Sequence, residues 1–296
     1  MEASKATYDR VPTAFSVGLQ RFMGWLFLQP FCGLLVLMLR TVGGYRIENL
    51  RELRKYYREL ANDPRPLLVC PNHLTFIDSA LTIWAFGSMP WYQFRFSRFS
   101  WNLPAGDFFK KKLSYRIVAY LTKCLFIHRD GTARHKSAVL DLCMQLLRKG
   151  DVVTIFPEGK RSRTGRFETD RLTFGVGKTC LNVPGCRVLC IYIRSDQQEG
   201  YSSYPPRGSN FRVMYKLIEP KTLLKGREAY YDLTLQIARE IKMMEIDWFR
   251  RRGIPITIPS PGAIPIAVGV GAPVPAFADL PQSPPNPAVG PPTERV

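Results

Sequence analysis

The sequence predicts an α/β fold, with a mainly parallel central sheet flanked by helices and a membrane-associated helical segment at the N-terminus. Three observations predict it. Apolar runs of strand length alternate with segments of helical period, the pattern of a parallel sheet with helices packed on it. Residues 22–39, "FMGWLFLQPFCGLLVLML", carry no charge and stand between Arg21 and Arg40. The chain of 296 residues is 46% hydrophobic and 12% aromatic, enough to bury one generous core.

Taken in order, the uncharged stretch comes first. As one helix it would measure about 27 Å, short of the roughly 30 Å hydrocarbon core of a bilayer. Gln29-Pro30 lies in its middle, and a proline removes a backbone donor. Two short helices joined there and dipping into one leaflet fit the stretch better than a clean span or a soluble core helix. It starts late and no small-residue cleavage site follows, so it does not read as a signal peptide. Basic residues on both sides leave its orientation open. "ENLRELRKYYREL" (48–60) reads as a charged surface helix ended by Asn62-Asp63-Pro64.

Five apolar runs suit buried strands: 66–70, 124–129, 151–157, 186–194 and 211–218. Helical segments at 79–86, 106–121 and 135–150 lie between them, the last stopped by Gly150. A final amphipathic helix covers 230–252. Beyond it, residues 253–296 hold half of the chain's 24 prolines and almost no charge, so an extended, disordered tail is expected. The expected organisation is therefore N-terminal membrane-associated helices (1–60), a catalytic domain (61–252) and a Pro-rich tail (253–296).

Forty-two Lys and Arg against 24 Asp and Glu give a net charge of +18. That excess predicts an anionic partner: nucleic acid, anionic lipid, or a phosphorylated substrate. The basic residues sit among aromatics, as in "RFSRFSW" (95–101) and "WFRRR" (248–252). Such clusters suit a membrane surface and would also suit single-stranded nucleic acid. Seven cysteines at 32, 70, 124, 143, 180, 186 and 190 form no Cys-x2-Cys pair, and no His stands at zinc-ligand spacing. Neither a zinc site nor a disulfide framework is predicted, and reduced thiols point to a reducing compartment.

In "CPNHLTFIDSALTIWAF" (70–86) a lone His73 is followed five residues on by Asp78. His73 reads as a buried structural residue, a metal ligand, or a base oriented by Asp78. Within one regular helix the two would lie about 140° apart and could not meet. They meet if "PNHLT" is the turn leaving a strand and the helix begins near Thr75 to Ile77. An orienting carboxylate fixes the imidazole tautomer and leaves the other ring nitrogen free to take a proton. No Gly-x-Ser-x-Gly nucleophile turn is present, so the proton would come from a substrate hydroxyl, in general-base acyl transfer. A second strand exit carries "FPEGKRSRTGR" (156–166), where a carboxylate, a glycine and several cations could hold a phosphorylated, hydroxylated ligand.

"NHLTFID", then "LFIHR", then "FPEGKRSR" in this order resemble the glycerolipid (lysophospholipid) acyltransferase family over roughly residues 20–220, with bacterial 1-acylglycerol-3-phosphate acyltransferases as the closest likeness. The resemblance implies that His73 is the general base and Asp78 its partner. It implies that Arg129 contacts the acceptor's phosphate, and that Glu158 and Gly159 bind glycerol phosphate with Lys160, Arg161 and Ser162 beside them. It implies acyl-CoA or acyl-carrier protein as co-substrate, with no metal and no further cofactor. Lys160 stands where threonine is common. The fourth motif survives only as "VPGCRVLCIYI" (183–193), with Arg187 at a usual proline, which leaves the acyl or acceptor pocket less defined than the chemistry.

The expected activity is acylation of lysophosphatidic acid to phosphatidic acid. The rivals are the same chemistry on another lysolipid, such as a lyso-ornithine lipid, a non-catalytic membrane lipid-binding protein, and, as the least favoured, a basic nucleic-acid-binding protein. The expected partners are membrane lipids and the lysophospholipid acceptor, without nucleic acid. The expected place is a membrane, the bacterial inner membrane, with the active site facing the cytoplasm. "FGVGKTC" (174–180) lacks the first glycine of a phosphate loop, since Leu172 stands there, so no nucleotide site is predicted. His128 and His135 flank a turn-like polar stretch and read as surface residues.

Overall fold

A strand covered on both faces must be apolar without alternation, and the longest predicted strand behaves this way. In a computed structural model, which describes residues 12–109, 112–128 and 131–254, all nine residues of β5 (Arg187–Ser195) are buried. It lies in a six-stranded sheet with β1 (Arg46–Ile47), β2 (Leu67–Pro71), β3 (Trp101–Asn102), β4 (Val152–Thr154) and β6 (Asn210–Ile218). The order is β1-β6-β5-β2-β4-β3, and every neighbouring pair is parallel except β5 with β6. The predicted mixed α/β architecture with a mainly parallel sheet is the one observed.

Alternate residues feed two cores. Leu68 and Cys70 of β2 with Val188, Cys190 and Tyr192 of β5 enter one, where α8 (Ala133–Arg148), α9 (Gly175–Asn182) and α10 (Gly226–Arg250) pack. Leu67, Val69, Leu189, Ile191 and Ile193 enter the other, under α3 (Leu50–Asn62), α4 (Asp78–Phe86) and α5 (Met89–Phe94). On α3 the buried Leu53, Tyr57, Leu60 and Ala61 recur at helical spacing, so a helix that reads as charged still has a stripe for the sheet. β1 and α3 thus belong with the sheet rather than with the helices before them.

Those helices are α1 (Ala14–Leu26) and α2 (Gly33–Thr41), joined by a π-helical turn over Leu28–Cys32 and bent by 63°. The bend falls where Pro30 withdraws a backbone donor, a recognised cause of kinks. No single described helix is long and apolar enough to cross a membrane; only the bent pair reaches that length and composition. Phe15, Leu19, Phe22 and Trp25 on α1 and Leu34, Leu37 and Met38 on α2 are exposed. The inner side of α1 is tied down: Gln20 donates to the carbonyls of Tyr120 and Cys124, and Arg21 pairs with Asp151 at 2.6 Å. Asp151 also meets Lys123, which is fully buried, at 3.2 Å.

Several predicted elements differ from those found. Of the predicted strand 124–129, the described residues 124–128 form none. Its residues lie parallel to 102–105, but only as isolated bridges at Cys124 and Ile127. Pro104 explains it: Leu125 and Ile127 donate to Asn102 and Pro104, yet Pro104 has no N–H to return, and the ladder breaks. The helix predicted over 106–121 is two, α6 (Gly106–Phe109) and α7 (Leu113–Leu121), because Lys112 is extended at φ −131°. His128 and His135 are buried, not at the surface, with ring centroids 5.2 Å apart. All seven cysteines are free thiols, five of them buried. The tail beyond Ile254 lies outside the described residues.

Candidate active site

Three strand exits converge at the carboxyl edge of the sheet, where open α/β sheets place ligands. The first is β2. Asn72, directly after it, is fully buried and docks on β5 through both ends of its amide: Nδ2 donates to the Ile193 carbonyl at 3.1 Å, and Oδ1 accepts the Ile193 N–H at 2.7 Å. His73 follows this anchor, so its backbone position is set by the sheet.

α4 begins at Asp78, as the predicted turn requires, and the Asp78 side chain reaches back. Its Oδ2 accepts the N–H groups of Leu74 at 2.6 Å and Thr75 at 2.7 Å, and lies 3.1 Å from His73 Nδ1. The Thr75 hydroxyl donates to the other oxygen. A carboxylate surrounded by donors has no proton to give, which makes Nδ1 the N–H of the imidazole and leaves the lone pair on Nε2. Asp78 is buried while the His73 side chain keeps 20% exposure. The ring stacks on Phe156, centroids 4.2 Å apart, so its plane is held as well as its tautomer.

Phe156 opens the second exit, after β4. Glu158 is 3% exposed, and its carboxylate accepts the His73 N–H at 2.7 Å and the Glu168 N–H at 3.2 Å. Burial pushes its pKa well above the ordinary carboxylate range, against the pull of those two N–H groups. Two main-chain donors thus engage the carboxylate for which the resemblance implies contact with the ligand. Gly159 turns the chain at φ +64°, where an added Cβ would run into Thr173. Ser162 is buried, and its N–H donates to the His73 carbonyl at 2.8 Å. Both peptide groups of His73 are therefore held by the second loop.

The cations stand on the outer side. Lys160 is half-buried and has no hydrogen bond or ion pair among the described residues. Arg161 donates to Ser203 Oγ at 3.3 Å, and the Arg163 guanidinium sits 4.8 Å from the Tyr201 ring centroid. The segment carrying these partners is the third exit, after β5; the Ser203 carbonyl accepts the Phe76 N–H and so bridges the loops. Burial opposes the charge on Glu168, but the N–H of Arg163, the Ser162 hydroxyl and Thr164 together hold its pKa below normal and shape the cationic turn. Arg129 lies outside the described residues. No group of three or more His, Cys, Asp or Glu among the described residues is arranged to hold a metal ion.

An acyltransferase family model matches residues 45–194, just over half of the 296-residue chain. The chain belongs to the acyltransferase family. None of the curated proteins compared with it is similar enough to count as a relative. In this acyltransferase the matched span runs from just before β1 to the end of β5, and it contains His73, Asp78 and residues 158–162. The departure at Arg187 falls at the start of β5, the edge of the sheet away from His73. There Arg187 is buried and donates to the carbonyls of Asp63 and Arg65, tying down the end of α3. In "FGVGK" it is Gly177 that serves packing: a Cβ there would strike the Tyr230 carbonyl of α10.

Proposed function

We propose that this acyltransferase moves an acyl chain from a thioester, acyl-CoA or acyl-carrier protein, to the free hydroxyl of lysophosphatidic acid, giving phosphatidic acid. The observation that carries the reading is the partly exposed His73 ring with Nδ1 against Asp78 and Nε2 bare, beside a loop of cations. Nε2 takes the hydroxyl proton as the oxygen attacks the thioester carbonyl. The tetrahedral intermediate collapses with cleavage of the carbon–sulfur bond, and the imidazolium returns the proton to the leaving sulfur as a free thiol. Lys160 and Arg161, with Arg129, neutralise the acceptor's phosphate, and Glu158 and Ser162 hold the base in place. Written this way, the reaction calls on no metal or cofactor.

The exposed apolar side of α1 and α2 supports a place at the membrane, with the bent pair dipping into one leaflet and the active site at the headgroup plane on the cytoplasmic side, in a bacterial inner membrane. The test is acyl transfer by detergent-purified protein, wild type beside His73→Ala, with both thioester donors and a panel of lysolipids. Phosphatidic acid from the wild type alone is the expected result. Acylation of a different acceptor, such as a lyso-ornithine lipid, would keep the mechanism and replace the substrate. Turnover retained by His73→Ala would remove the base, and silence from a folded, vesicle-binding wild type would favour a non-catalytic lipid-binding role.

A further inference from the structure

A cavity of about 470 Å³ opens where the N-terminal helices meet the domain, and none of the candidate active-site residues lines it. Its charged lining is of one sign. Arg40 comes from α2, Arg46 from β1 and Arg54 from α3, while no Asp or Glu contributes. None of the three guanidinium groups forms an ion pair among the described residues. Arg40 and Arg46 are exposed and Arg54 is half-buried, so three like charges border one space open to solvent, and an anion entering it would meet cations and no counter-charge.

Arg54 is the most constrained. One Nη2 donates to the Trp84 carbonyl at 3.1 Å, but its Nε is buried without a partner. Burial lowers its pKa, and the neighbouring charges of Arg58 and Arg40 add to that. A guanidinium does not shed its proton in a protein, so the strain is relieved by bringing in an acceptor. Ser88, also on the lining, accepts the Trp91 N–H at 3.4 Å, and its own proton has no acceptor among the described residues. Guanidinium forks with a hydroxyl donor match the tetrahedral oxygens of a phosphate.

We propose that this cavity is a second, non-catalytic anion site that holds a phosphate group, carried by an anionic phospholipid headgroup or free in solution. The lipid source rests on the membrane-facing reading of α1 and α2; phosphate recognition does not. On α2 the exposed Leu34, Leu37 and Met38 precede Arg40 by less than two turns, so a leaflet taking up those side chains brings its phosphate plane to the mouth of the cavity.

The experiment uses the full chain, the pair Arg40→Gln/Arg46→Gln, and a control of equal charge loss, Arg134→Gln/Arg227→Gln, at exposed positions on α8 and α10. Arg54 is left intact because it also supports Trp84. One arm measures thermal stabilisation by inorganic phosphate; the other measures flotation with vesicles of phosphatidylcholine alone or mixed with phosphatidylglycerol. The cavity pair should lose phosphate stabilisation, or bind the anionic vesicles about tenfold more weakly, while the control pair follows the wild type. Stabilisation by phosphate without binding to either vesicle would support the site with a free anion and sink the membrane reading. Loss confined to the vesicle arm would identify the lipid source. Equal losses in both pairs, or a wild type indifferent to phosphate and to phosphatidylglycerol, would overturn the proposal.

Discussion

The carboxylate of Glu158 accepts the main-chain N–H of His73 at 2.7 Å across 85 residues of sequence. The Ser162 N–H meets the His73 carbonyl from the same loop. The loop that presents Lys160 and Arg161 is therefore also the clamp on the imidazole's backbone. Under the proposed function, a shift of that loop on binding the acceptor's phosphate would pass to His73 directly and couple acceptor binding to placement of the base.

Glu158→Gln tests the clamp. The amide keeps one accepting oxygen but turns its NH2 toward the His73 or the Glu168 N–H, so one donor is left unmet. Turnover should fall about 10- to 100-fold, with little change in acceptor KM. Stability supplies a second readout. Burial raises the pKa of folded Glu158 above its ordinary 4.5, so the folded state keeps a proton that the unfolded chain has lost. Its contribution is present below about pH 4.5 and is lost as pH rises through the folded value, so wild type should lose stability relative to Glu158→Gln as pH rises above about 4.5. Urea midpoints that move in parallel would contradict this.

Asp78→Asn separates orientation from packing. The amide has nearly the same shape, but it cannot accept from Leu74, Thr75 and His73 Nδ1 on one oxygen while the Thr75 hydroxyl donates to the other. Single-turnover transfer should drop roughly 10²- to 10⁴-fold. A variant that keeps more than half of the wild-type rate would show that the aspartate does not set the imidazole.

The exposed face of α2 gives a membrane prediction. Leu37→Glu places a charge where an apolar side chain is exposed and touches no catalytic group. Binding to neutral vesicles should weaken about tenfold, while transfer to a short-chain acceptor in detergent stays at the wild-type level. Unchanged flotation would place the lipid-facing surface elsewhere.

Much of this was legible in the residues. Strand runs buried on both faces announce themselves by apolarity, as in β2, β4 and β5, and these strands and the half-buried β6 fall within one residue of their predicted starts. Helix geometry showed that His73 and Asp78 could meet only across a turn, and α4 does begin at Asp78. What stayed hidden depended on contacts made across the chain. Asn72 looks like any turn asparagine until β5 lies beside it, and its amide is what fixes His73. Glu158 gives no sign in sequence that its carboxylate reaches the His73 N–H, a contact made across 85 residues. Cys124 to Arg129 reads as a strand because the proline that interrupts its ladder belongs to another segment. Lys123 and Asp151 carry no sign of each other in sequence and meet in a buried contact beside Arg21 of α1.

That buried pair yields a prediction with a defined sign. Burial lowers the pKa of Lys123 from 10.5 to about 7, although Asp151 pulls the other way. Between those values the unfolded chain holds a proton that the folded protein has released, so Lys123 adds stability as pH rises from about 7 to about 10.5. Lys123→Met removes the titration and leaves Asp151 paired with Arg21, so α1 keeps its anchor. Tyrosines and thiols that titrate in the same range are common to both proteins and cancel in the difference. Urea midpoints at about pH 7 and about pH 9 should show wild type gaining on Lys123→Met by at most about 1.4 kcal/mol per pH unit. A difference that stays flat would mean that Asp151 keeps the ammonium charged in the core, and the Arg21–Asp151–Lys123 contact would then be a permanent ion triad holding the N-terminal helices to the domain at every pH tested.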